Sequence, residues 1–170
     1  LEFRRVLFRS RSAIIDDKSI AVGDAVLGLA SSGFHSNGYS LVRKVVFDYA
    51  KKSVLEFDAE LGTTVGEALL APTKIYVSAI QSVLEQFPAT QGVVKGLAHI
   101  TGGGLVDNIP RILHGNHCVR IRRSSWSLPP VFPWLQKLGG IAQDEMDRVF
   151  NNGIGFVVRS EEHTSELQSP

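Results

Sequence analysis

With one cysteine, Cys118, in 170 residues, the chain has no internal disulfide available, so packing and hydrogen bonds must hold it together. In the run Cys118-Val119-Arg120-Ile121 that cysteine reads as a small strand residue in a reducing compartment, not as a nucleophile. Apolar runs long enough to span a bilayer are missing. So is the signal-peptide pattern of charge, apolar core and small-residue cleavage site. These absences point to a cytoplasmic protein that does not enter a membrane. Charge of one sign is not in excess either: 18 basic and 17 acidic residues leave a formal net charge of +1.

Both ends read as foreign to the domain. Leu1 to Ser10, LEFRRVLFRS, and Arg159 to Pro170, RSEEHTSELQSP, resemble in-frame translations of sequencing-adapter oligonucleotides. Residues 1–11 and 159–170 are therefore expected to be non-native flanks of one domain over residues 12–158. Leu1 to Arg11 holds four basic residues and one acidic, and Arg159 to Pro170 one basic and three acidic, which leaves 13 of each sign between them. A neutral interior has no electrostatic footprint for nucleic acid or an anionic membrane, and the Arg4-Arg5 pair of the flank carries no function.

What the chain does have is glycine and serine concentrated in front of helices. Ser31-Ser32-Gly33-Phe34-His35-Ser36-Asn37-Gly38-Tyr39-Ser40-Leu41-Val42-Arg43 lies between an apolar strand and an amphipathic helix. A loop that feeds a helix start turns free N–H groups and the positive end of the helix dipole outward, which suits an anion such as phosphate. Arg43 falls on the helical face of Ser36, Tyr39 and Ser40, and its planar guanidinium matches phosphate oxygens. The same residues also fit a capped helix start with no ligand, Ser36 or Asn37 satisfying the N–H groups and Gly38 permitting a turn.

Strands are expected at Ala13–Asp16, Ala25–Ala30, Val93–Ile100, His117–Ile121 and Ile154–Val158, with turns at Asp17-Lys18 and Gly23-Asp24. The helix after the first loop sets Leu41, Val42, Val45, Val46 and Tyr49 on one face. Glu56 to Gly66 has no period and reads as an excursion. A second helix starts at Pro72, carries Tyr76, Ile80, Val83, Leu84 and Phe87 as an apolar stripe, and stops at Pro88. A short helix runs from Leu105 to about Pro110, and an acidic one from Gln143 to Phe150. Ser124–Pro133 is a loop rich in proline and tryptophan, and Asn151-Asn152-Gly153 is a turn. This alternation predicts an α/β or layered α+β fold, a mixed sheet packed by helices that lacks its closing elements at the C-terminal end.

The second glycine loop, His99-Ile100-Thr101-Gly102-Gly103-Gly104, follows a strand and opens a helix. It matches neither the Walker pattern nor the dinucleotide fingerprint, yet consecutive glycine amides can form an anion nest. A tight turn without a ligand is the other reading. His35 and His99 are the candidates for proton transfer or for polarising a carbonyl, and each also fits a loop histidine bonded for structure alone. His114 and His117 flank a turn at Gly115-Asn116, but no cysteine or carboxylate completes a ligand set, so no metal site is expected there. His163 lies in the flank. Asp144, Glu145 and Asp147 form a solvated helix face in preference to a magnesium site. Trp126 and Trp134 pack a long loop onto the domain, since base stacking would want a basic surface.

In order and spacing, SSGFHSNGYSLVR, LLAPTKIYV, LAHITGGGLVDNIPRIL, SSWSLPPVFPWLQ and EMDRVFNNGIG resemble the C-terminal half of the phosphoribosylformylglycinamidine cyclo-ligase family, also called aminoimidazole ribonucleotide synthetase. The similarity covers Ala13 to Val158. It implies a two-domain α/β homodimer, with ATP and Mg bound mainly by an N-terminal domain absent here. The implied reaction closes a ring in de novo purine synthesis. Phosphate from ATP goes to the formyl oxygen of a formylglycinamidine ribonucleotide, the amidine-derived nitrogen attacks the activated carbon, and phosphate leaves to give aminoimidazole ribonucleotide. By resemblance Gly33, His35, Ser36, Asn37 and Arg43 would line the substrate or phosphate pocket, and His99, Thr101, Gly102, Gly103 and Gly104 would border the reacting centre. His99 and His35 are the catalytic candidates. The fragment alone is expected to be inactive. Two alternatives stand beside this reading. One is a related ATP-dependent synthetase, such as the amidotransferase of the preceding purine step or selenophosphate synthetase. The other is a non-catalytic ligand-binding and dimer-interface module.

Overall fold

In the computed structural model, residues 13–16, 18–113 and 117–161 are described. The flank over residues 1–11, the expected turn at Gly115-Asn116 with His114, and His163 fall outside them. Ala25–Ala30, led in by Gly23-Asp24, forms β1 as expected. Ile154–Ser160 forms β5 and Val94–His99 forms β4. These three make one sheet in the order β1-β5-β4, and β5 runs antiparallel to both neighbours. Strands β1 and β4 thus share a direction without touching, and the layered α+β fold is built on antiparallel pairs rather than the mixed pairing expected. Ala13–Asp16 adds no strand. Strand β5 continues two residues past the expected flank boundary. Arg159 there is buried, with its Nη2 donating to the Ala21 carbonyl (2.9 Å) and its Nε 3.6 Å from Asp24.

Tyr39–Arg43 opens α1, which widens into a π-helical stretch over Lys44–Tyr49 that includes the bond from Ala50 N–H to the Val45 carbonyl. Val42, Val45 and Val46 are buried as the sequence pattern requires. Tyr49 is not: it stands 75% exposed, because the wider turn rotates it off the face that a regular helix would give it. The segment read as an excursion holds a two-stranded hairpin, β2 (Phe57–Asp58) with β3 (Thr63–Thr64), and then α2 (Val65–Leu69). A capping box starts α2: Glu67 N–H donates to Thr64 Oγ1 (3.3 Å) and Thr64 N–H to Glu67 Oε2 (3.1 Å).

Helix α3 (Val77–Gln86) begins five residues after Pro72, and it buries none of its residues fully. Tyr76, at its N-cap, is the buried residue of the expected stripe. Next come α4 (Gly104–Asn108), α5 (Val131–Gly139) and α6 (Gln143–Val149). Helix α5 emerges from the proline-rich segment taken for loop, and it is the better buried: Val131, Phe132, Trp134 and Leu135 enter the core. Proline suits a first helical turn, where its missing N–H has no partner to lose. His117–Ile121 forms no strand. His117 and Val119 are half-buried and Cys118 and Arg120 exposed, so the side chains alternate, but no neighbouring strand pairs with them.

Two apolar clusters result. The larger joins α1, its π-helical extension, α2, α5 and α6 through Phe34, Val46, Val65, Phe132, Leu135 and Phe150. The smaller lies on the sheet beneath α4, from Ala98, Ile100, Ile109, Ile154 and Val157. Trp126 reaches Asn152 and Trp134 reaches Asp58 through their indole N–H groups (2.8 and 2.9 Å), which fastens loops to the domain as expected. Among the described residues no helix is long and apolar enough to cross a membrane.

Candidate functional site

The first loop leaves β1 and is pinned at once. Phe34 is buried against Phe150 and Phe132, with ring centroids 4.9 and 5.2 Å away. With that ring anchored in the core, the chain must reverse over the next two residues. His35 (φ 52°) and Ser36 (φ 59°) do so in the left-handed region, which costs non-glycine residues about 1–3 kcal/mol each. The strain is held by bonds on every side. Asn151, fully buried, donates its Nδ2 to the Gly33 carbonyl (2.8 Å) and accepts from Ser31 Oγ (2.9 Å) and the Gly153 N–H (2.9 Å).

His35 is part of that clamp. Its Nε2 accepts from the backbone N–H of Ser32 (3.0 Å) and of Lys74 (3.3 Å), so the ring joins the loop to the segment before α3. Two amide donors on Nε2 require it to be unprotonated. Burial depresses the pKa of His35 below its ordinary value, and the charges of His99 and Lys74 act in the same direction. Nδ1 is buried with no hydrogen-bond partner. It faces Gly155 of β5. A Cβ at Gly155 would lie 2.8 Å from Nδ1, 2.5 Å from Cε1, and inside contact distance of the Tyr76 hydroxyl, so only glycine leaves room for both rings.

Tyr76 links the two loops. Its hydroxyl donates to the Ala30 carbonyl (2.9 Å), and its ring centroid lies 6.0 Å from that of His35 and 6.2 Å from that of His99. His99, at the end of β4, is exposed and stacks on Phe156 (6.0 Å). His99, Tyr76, Phe156, Ile80 and Lys74 line an open groove of about 510 Å³. Thr73 forms another wall and bonds Ser36 through the two hydroxyls (3.3 Å), so the first loop borders the groove without entering it.

The second loop is packed from behind. Gly104 (φ 58°) presses on the end of α6, where a Cβ would overlap the Asp147 carbonyl and come within 2.6 Å of that of Phe150. The buried Asn108 gathers the loop carbonyls: its Nδ2 donates to Gly104 (2.7 Å), Gly102 (3.2 Å) and Thr101 (3.3 Å), while its Oδ1 accepts from Thr101 Oγ1 (3.2 Å). Among the described residues no backbone hydrogen bond engages the amide N–H groups of Gly102 and Gly103. Across from them stands the first loop, with Asn37 Oδ1 3.9 Å from where a Cβ on Gly102 would be. The Asn37 amide is itself oriented by donating to the His35 carbonyl (2.7 Å).

The structure therefore brings Asn37 up to Gly102 and sets Ser36 on Thr73, a wall of the groove that His99 lines, with Gly33 and His35 supporting the first loop from behind and Thr101, Gly103 and Gly104 continuing the second. Arg43 is not among them: it opens on a separate hollow of about 370 Å³ with Tyr39, Ser40, Lys44, Phe47 and Asp48. Among the described residues no group of three or more His, Cys, Asp or Glu stands close enough to hold a metal ion. Of the acidic helix face, Asp144 and Glu145 are exposed, while Asp147 pairs with Arg123 and accepts from Gln143 and Asn152. Sequence reasoning passed over Asn108, Asn151 and Gly155, and took Tyr76 for one residue of a stripe. For Asn108 a signal existed, an amide four residues after Gly104 on the inner face of a short helix.

Residues 21–169 match the family described as AIR synthase related protein, C-terminal domain. The chain is 53% identical over 148 residues to a phosphoribosylformylglycinamidine cyclo-ligase of Thermoanaerobacter sp. (strain X514), covering 87% of this chain and 42% of that protein. It is 50% identical over 155 residues to the protein of that name from Syntrophus aciditrophicus (strain SB), covering 91% and 43%. To the one from Paraburkholderia phymatum it is 53% identical over 149 residues, covering 87% and 39%. The chain thus spans about two fifths of the length of these curated relatives. With five motifs, two facing glycine loops and a match along most of its length, the chain belongs to the AIR synthase related family, as a C-terminal domain.

Proposed function

We propose that the chain is the C-terminal part of a phosphoribosylformylglycinamidine cyclo-ligase, and that its two glycine loops jointly hold a phosphate group beside the reacting centre. The observation that carries this reading is the approach of Asn37 to Gly102, which puts the two loops at one mouth. In the reaction, a phosphoryl group passes to the formyl oxygen of the ribonucleotide. The amidine-derived nitrogen then forms a bond to that carbon, the carbon–oxygen bond breaks, and inorganic phosphate and a proton leave. Negative charge moves throughout, and preorganised N–H donors stabilise it without reorganising.

In this reading the Gly102 and Gly103 N–H groups and the Ser36 hydroxyl contact phosphate oxygens, Asn37 and Thr101 border the mouth, and the buried Gly104, its N–H on the Thr101 carbonyl, holds the second loop in shape. Gly33 and His35 hold the first loop in shape, and Arg43, on its own hollow, is left out of the contact set. His99, with its ring open to the groove, is the residue to exchange a proton at the amidine nitrogen. ATP supplies the phosphoryl group. The described residues offer no acidic ligand set for its magnesium ion, so nucleotide and ion are assigned to the part of the parent beyond this chain, and no step here runs through them. A homodimeric, cytoplasmic parent goes with this reading. By itself the chain should release no phosphate from ATP.

The test is His99→Ala in the full-length parent enzyme. A general acid or base contributes about 100-fold or more to turnover, so kcat should fall by that factor with KM nearly unchanged. An unchanged kcat, or a change confined to KM, would remove His99 from the chemistry.

A further inference from the structure

We infer that Asn108 is the positioning residue of the second glycine loop, the side chain that turns the loop into a phosphate receptor. The inference rests on the phosphate-holding reading above and adds a residue to it. A loop of three glycines has no side chains to fix its peptide planes, so something else must choose which way they face. Asn108 does so from the last position of α4, one turn on from Gly104. Its single NH₂ group serves the carbonyls of Thr101, Gly102 and Gly104, and its own oxygen is held by Thr101 Oγ1. Each carbonyl drawn inward aims the following N–H the other way, since C=O and N–H of one peptide unit are antiparallel. The peptide units that join Thr101 to Gly102 and Gly102 to Gly103 therefore present the N–H groups of Gly102 and Gly103 away from Asn108. Among the described residues neither of these two amides has a backbone partner. Asn108 is only 3% exposed, so no ligand touches it and its effect passes wholly through the loop.

A leucine or alanine here would fill or vacate the space without collecting a carbonyl, and the peptide planes would rotate freely. The experiment titrates the chain with inorganic phosphate and follows backbone amide resonances by NMR, in the parent sequence and in Asn108→Ala and Asn108→Ser. In the parent sequence the Gly102 and Gly103 amides should move saturably. In a folded variant their affinity for phosphate should drop about tenfold, the effect of losing one well-made charge-assisted hydrogen bond, with the Trp134 indole and the β5 amides unmoved. Phosphate binding retained within about twofold in a folded variant would overturn the role of Asn108 alone. Failure of the unsubstituted chain to show any shift at Gly102 and Gly103 would overturn the phosphate reading, and this inference with it. Loss of the folded state in both variants would make Asn108 a residue of the core instead of the loop, and would likewise overturn it.

Discussion

Replacing Asn151 with alanine isolates what holds the first loop. The side chain is fully buried and makes three bonds: one to the Gly33 carbonyl, one from the Gly153 N–H and one from the Ser31 hydroxyl. Gly33 and Gly153 are themselves buried, so Asn151→Ala strands a backbone carbonyl and a backbone N–H away from water. Each stranded group costs about 1–3 kcal/mol, while the half-buried Ser31 hydroxyl can turn to solvent at little cost. The sum is about 2–6 kcal/mol, and at roughly 2–4 °C per kcal/mol for a chain of this size the thermal midpoint should fall by about 4–24 °C. Ser31→Ala should lose only about 1 kcal/mol, and that loss should vanish in the Asn151→Ala background, because the two side chains share one bond. Circular dichroism melts of the four proteins complete the cycle. A midpoint drop under about 2 °C for Asn151→Ala would mean that the loop is not held by this amide.

Gly155→Ala should destabilise by about 1–3 kcal/mol through overpacking, and should displace Tyr76 from the Ala30 carbonyl. Loss of the Tyr76–His99 ring contact in the NMR spectrum of that variant would check it, and a spectrum unchanged at both rings would refute it. His35 makes stability depend on pH. Its folded-state pKa lies below the ordinary value near ~6.5, so the unfolded chain binds the proton more readily. The contribution is fully present above about pH 6.5 and is lost as pH falls through the window down to the folded-state value. The melting temperature should therefore fall between about pH 7.5 and 5.5, and His35→Gln should remove that part of the slope. An identical slope in the variant would show that His35 titrates alike in both states.

What could be read ahead of the structure is what local chemistry decides. Glycines around an apolar run bounded β1, acids in the first turn marked α6, and the two loops announced themselves by glycine, serine and histidine in front of helices. Tyr49 escaped because the π-helical turn changes the period on which the reading depended. The first three residues of α5, 131–133, were taken for loop because prolines, breakers in a helix interior, sit at its start. His117–Ile121 has the alternation of a strand but lacks a neighbour to pair with, and pairing is a tertiary fact. The same limit hid Asn108 and Asn151. Each is a buried amide whose meaning lies in three partners that only the folded chain brings within reach. Arg43 shows the reverse case, a residue with the right chemistry and the right helical face whose side chain opens on another hollow.

That the two loops form one receptor is the claim on which the functional account stands, and a phosphate titration of the unsubstituted chain tests it most directly. If Ser36, Asn37, Gly102 and Gly103 line a common mouth, their backbone amide resonances should all shift with a single dissociation constant. Separate constants for the two loops, or shifts in only one of them, would contradict it.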